Sequence, residues 1–301
     1  MEKTNSKFNM IPNNDINYNS VTEIRSLLEN EGLGIQKKYG QHFLINSKIR
    51  EKLINELDAE KGATVWEIGP GLGAMTKLLL DRGLLVRTFE IDPGFCRILH
   101  SFFDKYPNFS MIQGDVLKTY QNQPVSSMLF GNLPYNIAAI FIGELIENRV
   151  FFERMVITVQ HEVAQRMTAK PGSDNYSSFS ILCSSVYSIK KVMTIKPGAF
   201  YPSPNVNSMG LKLEIRTDYM EYPVLFYPLV RQLFMYRRKM IKNNIIKFIG
   251  SGMSKNCISL DDISQSILGE NNLTGKERAE NLDIGVIVGL AKTIENMGIL
   301  R

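Results

Sequence analysis

Three cysteines, three histidines and one tryptophan are all that a chain of 301 residues carries of these types. Cys96, Cys183 and Cys257 are odd in number and widely scattered. They fit neither a disulfide framework nor metal-ligand spacing, so no metal is expected and a reducing cytoplasm is the expected compartment. No apolar run approaches the ~18 residues that a membrane helix needs, so no membrane association is expected. The Asn-rich start, Met1 to Asn19, has neither the apolar core of a secretion signal nor the Arg-rich pattern of a transit peptide. A large excess of one charge is missing too: 35 Lys and Arg against 30 Asp and Glu leave a formal +5, a mild bias toward polyanions. What remains is an ordinary globular composition, 44% hydrophobic and 22% charged, enough for a sizeable core. At roughly 150 residues per domain, about two domains are expected.

Residues 1–19 read as a flexible tail, and Val21 to Asn30 as a short amphipathic helix with Ile24, Leu27 and Leu28 on one face. Strand-like runs at 64–68, 84–90, 109–113, 127–131 and 155–160 then alternate with helical runs at 74–82, 93–105, 137–148 and 161–168. That alternation implies βαβ units and a parallel sheet, an α/β fold with ligands at the carboxyl ends of its strands. A helical stretch at 179–186 leads to two β-like runs, 190–195 and 208–215, which can extend the sheet as an antiparallel pair. Past Asp218 the chain is helical in character. The expected division is therefore residues 20–217 and a smaller helical part, 218–301.

Strand, Glu67-Ile68-Gly69-Pro70-Gly71-Leu72-Gly73, then helix, is a loop whose missing side chains let a ligand approach the backbone. Gly69, Gly71 and Ala74 also satisfy the dinucleotide fingerprint, and Glu90 lies at about the expected ~20 residues further on. Either cofactor would use Glu90 to accept from ribose hydroxyls. Asp115, closing the third strand, is placed to accept from an adenine amine. Glu67 suits the ammonium of a methionine better than a pyrophosphate dianion. Three acids at successive strand ends favour S-adenosylmethionine, with Gly69, Gly71 and Gly73 as its cradle.

The fourth strand runs into Asn132-Leu133-Pro134-Tyr135. An adenine exocyclic amine is a poor nucleophile because its lone pair is delocalised into the ring. Acceptors aimed at its two hydrogens favour the pyramidal nitrogen that can attack a sulfonium methyl. The Asn132 side-chain oxygen can accept one hydrogen and the Leu133 carbonyl the other, if Pro134, with no N–H and a fixed φ, holds the turn open. Tyr135 offers a flat face to the base, and Phe200, in the proline-rich loop, is the candidate for the opposite face. Such stabilisation acts through preorganised dipoles. A base within a helix cannot reach this pocket, so the substrate must be single-stranded, looped or flipped out.

With these residues assembled, the chain resembles the rRNA adenine dimethyltransferase family, most closely its bacterial small-subunit members. Matching segments include Gly40-Gln41-His42-Phe43-Leu44, the glycine loop, Glu90-Ile91-Asp92, Gly114-Asp115, Asn132 to Tyr135, Gln160 to Arg166, Phe200 to Ser208 and Arg237-Arg238-Lys239. The resemblance implies a Rossmann-like S-adenosylmethionine-dependent methyltransferase sheet with a smaller all-helical C-terminal RNA-binding domain. It also implies four methyl transfers onto two adjacent adenosines in the 3′-terminal hairpin loop of small-subunit (16S) rRNA. The partner that the resemblance implies is the small ribosomal subunit, and the state it implies is a monomer. Cofactor contacts carry over to His42, Leu44, Gly69, Glu90, Asp115 and Asn132. The family usually has Asn where His42 stands; an imidazole can donate or accept one hydrogen bond but cannot do both as an amide does. His161 stands where Lys is more usual and is expected on a helix surface.

An RNA substrate fits the cluster Arg231, Arg237, Arg238, Lys239, Lys242 and Lys247, with Tyr236 interleaved, whose phosphate contacts would make binding salt-dependent. Lys37 and Lys38 are expected to form a second anchor at the pocket mouth. Competing readings are dimethylation of a single adenine in large-subunit rRNA, a non-catalytic assembly factor bound through the basic part, and a nicotinamide oxidoreductase.

Overall fold

The computed structural model describes residues 16–251 and 259–298. Its strands are β1 (Phe43–Leu44), β2 (Thr64–Ile68), β3 (Leu85–Glu90), β4 (Phe109–Gln113), β5 (Met128–Asn132), β6 (Arg154–Gln160), β7 (Tyr187–Ile195), β8 (Phe200–Tyr201) and β9 (Ser208–Ile215). Its α-helices are α1 (Val21–Asn30), α2 (Ser47–Asn55), α3 (Ala74–Asp81), α4 (Pro93–Phe103), α5 (Val116–Thr119), α6 (Ala138–Glu147), α7 (His161–Met167), α8 (Ser178–Val186), α9 (Phe226–Met235), α10 (Ile241–Gly250), α11 (Leu260–Glu270) and α12 (Ile284–Asn296).

Seven strands pair in the order β4-β3-β2-β5-β6-β9-β7. Strands β2 to β6 are mutually parallel, and β9 is antiparallel to both β6 and β7. The central strands are apolar on both faces because helices cover both: Met128 to Phe130 and Met155 to Val159 are buried throughout. Trp66, fully buried, meets the Phe89 and Phe152 rings at 4.8 and 5.3 Å. Burying one such ring contributes about 1.5–3 kcal/mol.

The strand runs expected from the sequence form within a residue or two of their expected ends, and the β7–β9 pair extends the sheet as anticipated. β7 begins at Tyr187 rather than 190, because it pairs with the whole of β9 as far as Ile215. A second, two-stranded sheet, β1 with β8, has no counterpart in the sequence reading. It brings the segment before α2 against the proline-rich loop.

The expected N-terminal tail ends sooner than Asn19. Residues 1–15 lie outside the described part, whereas the Tyr18 hydroxyl donates to the Leu72 carbonyl at 3.0 Å and Ser20 caps α1 by accepting from the Glu23 amide at 3.2 Å. Cys96 and Cys183 are free and buried, and Cys257 lies outside the described residues.

From Phe226 onward the described chain is helical apart from one isolated bridge between Met240 and Arg278. These helices share one apolar core with the sheet's own: Phe226, Leu229 and Leu233 belong to the cluster that holds Phe141, Leu145 and Leu182. Among the described residues no helix is long and apolar enough to cross a membrane. The strand order reverses between β2 and β5, which leaves a crevice at their carboxyl ends where ligands bind in open α/β sheets.

Candidate functional site

A cavity of about 300 Å³ opens at that crevice. Its floor is Ile68, Gly69 and Gly71 after β2; Glu90 and Ile91 after β3; Gly114 and Asp115 after β4; Asn132 and Pro134 after β5. Its far wall is the segment Lys38 to Phe43. Two of the three acids read from the sequence, Glu90 and Asp115, thus meet around one space. A second cavity of about 40 Å³, lined by Glu67, Leu44, Tyr18 and Arg50 among others, shares Phe43, Gly69, Gly71 and Asn132 with the first.

The three loop glycines divide in what they do. At Gly71 a Cβ would lie 3.2 Å from the Phe43 ring on the cavity side. Gly73 does not line either cavity: it is buried with φ +87, and a Cβ there would meet Phe103 Cε2 at 2.4 Å. Expected as part of the cofactor cradle, it instead lets α3 start close against α4.

Glu90 accepts from the amides of Gly71 at 3.2 Å and Asp92 at 2.9 Å. Burial, opposed by these bonds, pushes its carboxyl up to about 7. Glu67, 2% exposed, accepts from the Thr76 hydroxyl at 2.6 Å and is pushed up to about 8, by burial first and by Glu90 as well. Asp115 caps α5 by accepting from the Leu117 amide with one oxygen, at 3.1 Å.

At the end of β5, Asn132 is level with Thr158 of β6, and the Leu133 amide donates to the Thr158 carbonyl at 3.0 Å. The Asn132 amide nitrogen donates to the His42 carbonyl at 2.8 Å. That bond uses one of the two N–H groups of the side chain and leaves Oδ1 as an acceptor. Leu133 turns its side chain into the core, 1% exposed, so only its backbone can take part in chemistry. Pro134 lines the cavity and its carbonyl accepts from Ile137 and Ala138, starting α6. The Tyr135 hydroxyl is bonded to Ser208 Oγ at 2.7 Å, and its ring stacks on His42 with centroids 5.4 Å apart. One face of Tyr135 is therefore already covered. His42 Nδ1 is bonded to the Pro202 carbonyl at 2.7 Å, so this histidine links the N-terminal wall to the proline-rich loop.

Phe200 is not a stacking face. Its strand pairs with β1, and the alternation of the strand turns Phe200 into the core at 3% exposure and leaves Tyr201 half-buried. The basic cluster of the C-terminal part divides as well. Arg231 is held in a forked pair by Glu147, Arg237 donates to the carbonyls of Asp174 and Tyr176, and Lys242 pairs with Asp261 at 2.9 Å. These three are spent on internal contacts. Arg238 and Lys239 are exposed, and Lys239 and Lys247 both lie over the Tyr236 ring, at 5.2 and 4.1 Å. Lys38 lines the cavity mouth; the Lys37 side chain lies outside the described residues.

Sequence reasoning did not single out Gln41 or Ile91 for the site. Gln41 donates to Asp92 at 3.0 Å and so binds the far wall to the end of β3. Ile91 is 39% exposed at the cavity. An apolar residue left open between a strand-end acid and a helix-capping Asp was the available signal. His161 begins α7, half-buried beside a shallow groove away from the cavity.

Comparison with known proteins agrees with this geometry. A family model described as ribosomal RNA adenine dimethylase matches residues 32–287. A ribosomal RNA small subunit methyltransferase A from Treponema denticola is 45% identical over 274 residues, covering 88% of this chain and 92% of that protein. One of the same description from Borreliella burgdorferi is 41% identical over 283 residues, covering 93% and 96%. In fold, the chain is similar to a dimethyladenosine transferase from Plasmodium falciparum, with a TM-score of 0.72 at 24% identity over 84% of this chain and 97% of that one. The 23S rRNA methyltransferase ErmE shares the fold with a TM-score of 0.61 at 19% identity, over 84% and 99%. A seven-stranded sheet with acids at successive strand ends, Asn132 aimed by a backbone carbonyl and a match through residues 32–287 have one reading: the chain belongs to the ribosomal RNA adenine dimethylase family.

Proposed function

We propose that this chain dimethylates the exocyclic amines of two adjacent adenosines in the 3′-terminal hairpin loop of small-subunit (16S) rRNA, with S-adenosylmethionine as methyl donor, during assembly of the small subunit in the cytoplasm. The observation that carries the reading is the Asn132 side chain, whose nitrogen donates to the His42 carbonyl, which orients the amide and leaves Oδ1 an acceptor at the cavity.

The cavity suits the donor. Its volume lies at the lower end of the roughly 300–1,000 Å³ of small-molecule sites. Glu90 and Asp115 line it and Glu67 lies at the adjoining small cavity, carboxyls whose ionised forms suit a cation and would repel a pyrophosphate. Glu90 would hold the ribose hydroxyls, Asp115 the adenine amine, and Glu67 the ammonium. Gly69 and Gly71 let the backbone approach, and His42 and Leu44 complete the wall. When bound, the donor supplies a methyl carbon on positively charged sulfur, and the overall change exchanges that S–C bond for an N–C bond.

The chain's own part is to prepare the nucleophile. Asn132 Oδ1 and the Leu133 carbonyl accept the two amine hydrogens, Pro134 fixes the turn, and the amine proton passes to solvent. The acceptors strengthen as charge grows on nitrogen, so they act on the transition state. The face of Tyr135 opposite His42 would take the base, and Arg238, Lys239, Lys247 and Lys38 would hold phosphates. Incubation with labelled donor and unmethylated small subunits, followed by nucleoside analysis, should yield dimethyladenosine. Labelling of large-subunit rRNA instead, or subunit binding with no labelling at all, would overturn the assignment.

A further inference from the structure

The N-terminal segment is fastened to the donor site by two side chains that neither the sequence reading nor the proposed chemistry uses. The Tyr18 hydroxyl donates to the carbonyl of Leu72, inside the glycine loop, at 3.0 Å. Arg50, 5% exposed, donates through one terminal nitrogen to the Leu44 carbonyl at 2.7 Å and the Tyr18 carbonyl at 3.4 Å, and through the other to Asn19 Oδ1 at 2.9 Å. Its remaining Nε has no partner among the described residues. The glycine loop, β1 and the start of α1 are thereby tied at one point, and Tyr18 and Arg50 line the small cavity with Glu67.

We propose that Tyr18 and Arg50 are positioning residues that lock the N-terminal segment over the inner end of the donor cavity and so set affinity for the amino-acid end of the donor. The proposal rests on the donor reading above. A buried guanidinium with an unspent N–H and a buried carboxyl on one small cavity complement an ammonium and a carboxylate together. Holding Leu72 and Leu44 also keeps the walls in place before the ligand arrives, which lowers the cost of binding.

The test is calorimetric titration of the full chain and its Tyr18→Phe, Arg50→Lys and Arg50→Met variants with two probes. S-adenosylhomocysteine carries the amino-acid end; 5′-methylthioadenosine lacks it. Tyr18→Phe should weaken the first about three- to tenfold, as expected for one lost hydrogen bond, and leave the second within twofold. Arg50→Met should weaken the first further, with Arg50→Lys between. Donor KM should rise in step while kcat at saturating donor holds. Equal loss for both probes in Tyr18→Phe means general loosening and overturns the lock, as does no change in either. If Arg50→Met does not fold, Tyr18→Phe decides alone. A wild-type chain that binds neither probe overturns the donor reading itself, an outcome distinct from failure of the lock.

Discussion

Replacing Gly73 by alanine separates a packing glycine from a ligand-binding one. The added Cβ would stand 2.4 and 2.8 Å from two atoms of the Phe103 ring, with Leu99 at 3.1 Å, and would force φ +87 on a residue with a side chain. The left-handed backbone costs about 1–2 kcal/mol, and overpacking a tight core site about 1–3 kcal/mol. Phe103 is itself 2% exposed and cannot swing away cheaply. The sum, about 2–5 kcal/mol, corresponds to a fall in Tm of roughly 5–10 °C for a chain of this size. Donor affinity, measured by calorimetry well below the transition, should stay within about threefold because Gly73 lines neither cavity. A second substitution, Phe103→Leu, removes the ring atoms in question. The double variant should be more stable than the sum of the singles by about 1–2 kcal/mol. Unchanged Tm with lost donor binding would refute the reasoning, and so would strict additivity with Phe103→Leu.

Asn132→Ala should lower kcat by roughly 10²–10³, the usual cost of one preorganised dipole, while small-subunit binding, read by sedimentation, stays the same. Glu67 and Glu90 keep their protons in the folded chain up to about 8 and about 7, whereas the unfolded chain loses them near the ordinary carboxyl value. Their contribution to stability is therefore greatest below that value and falls as pH rises from about 5 to 8, by an order of ~3 kcal/mol for Glu90; urea melts of Glu90→Gln should show a flatter slope. Binding a cationic donor favours the ionised carboxyl, so at pH 6.5 calorimetry in buffers of different ionisation heat should register proton release. Arg238→Ala with Lys239→Ala should weaken RNA binding and reduce the salt slope by about 0.7–0.9 per lost phosphate contact. Arg231→Ala should leave that slope unchanged, because Glu147 already neutralises it. Phe200→Leu should lower Tm without raising the KM for RNA, since the ring lies in the core.

The parallel strands were readable because each is short, apolar and bounded by glycine or an acid, and because period and composition change abruptly at each helix. Glu90, Asp115 and Asn132 were readable for a related reason. A polar residue at the end of an apolar strand has only the strand-end crevice to occupy, whatever the packing elsewhere. Phe200 and Gly73 illustrate the opposite case. The proline-rich loop gave no indication that two of its residues pair with Phe43–Leu44, and that pairing alone turns Phe200 inward. The positive φ of Gly73 is implied by a glycine loop, but the Phe103 ring behind it belongs to a helix 30 residues away.

The linear chain determined the order of the main-sheet strands and of the helices between them, the acids at three strand ends and the tetrapeptide after the fourth, because those depend on local periodicity and on where an apolar run stops. Only the tertiary structure decided how the Asn132 amide is oriented, which of the clustered cations are already neutralised, and that Tyr18 and Arg50 reach the glycine loop and β1. These depend on contacts between residues far apart in the chain, Asn132 with His42 and Arg231 with Glu147, whose partners no local pattern specifies. Charge and hydrogen-bonding capacity are properties of a residue; whether they remain available is a property of its neighbours in space.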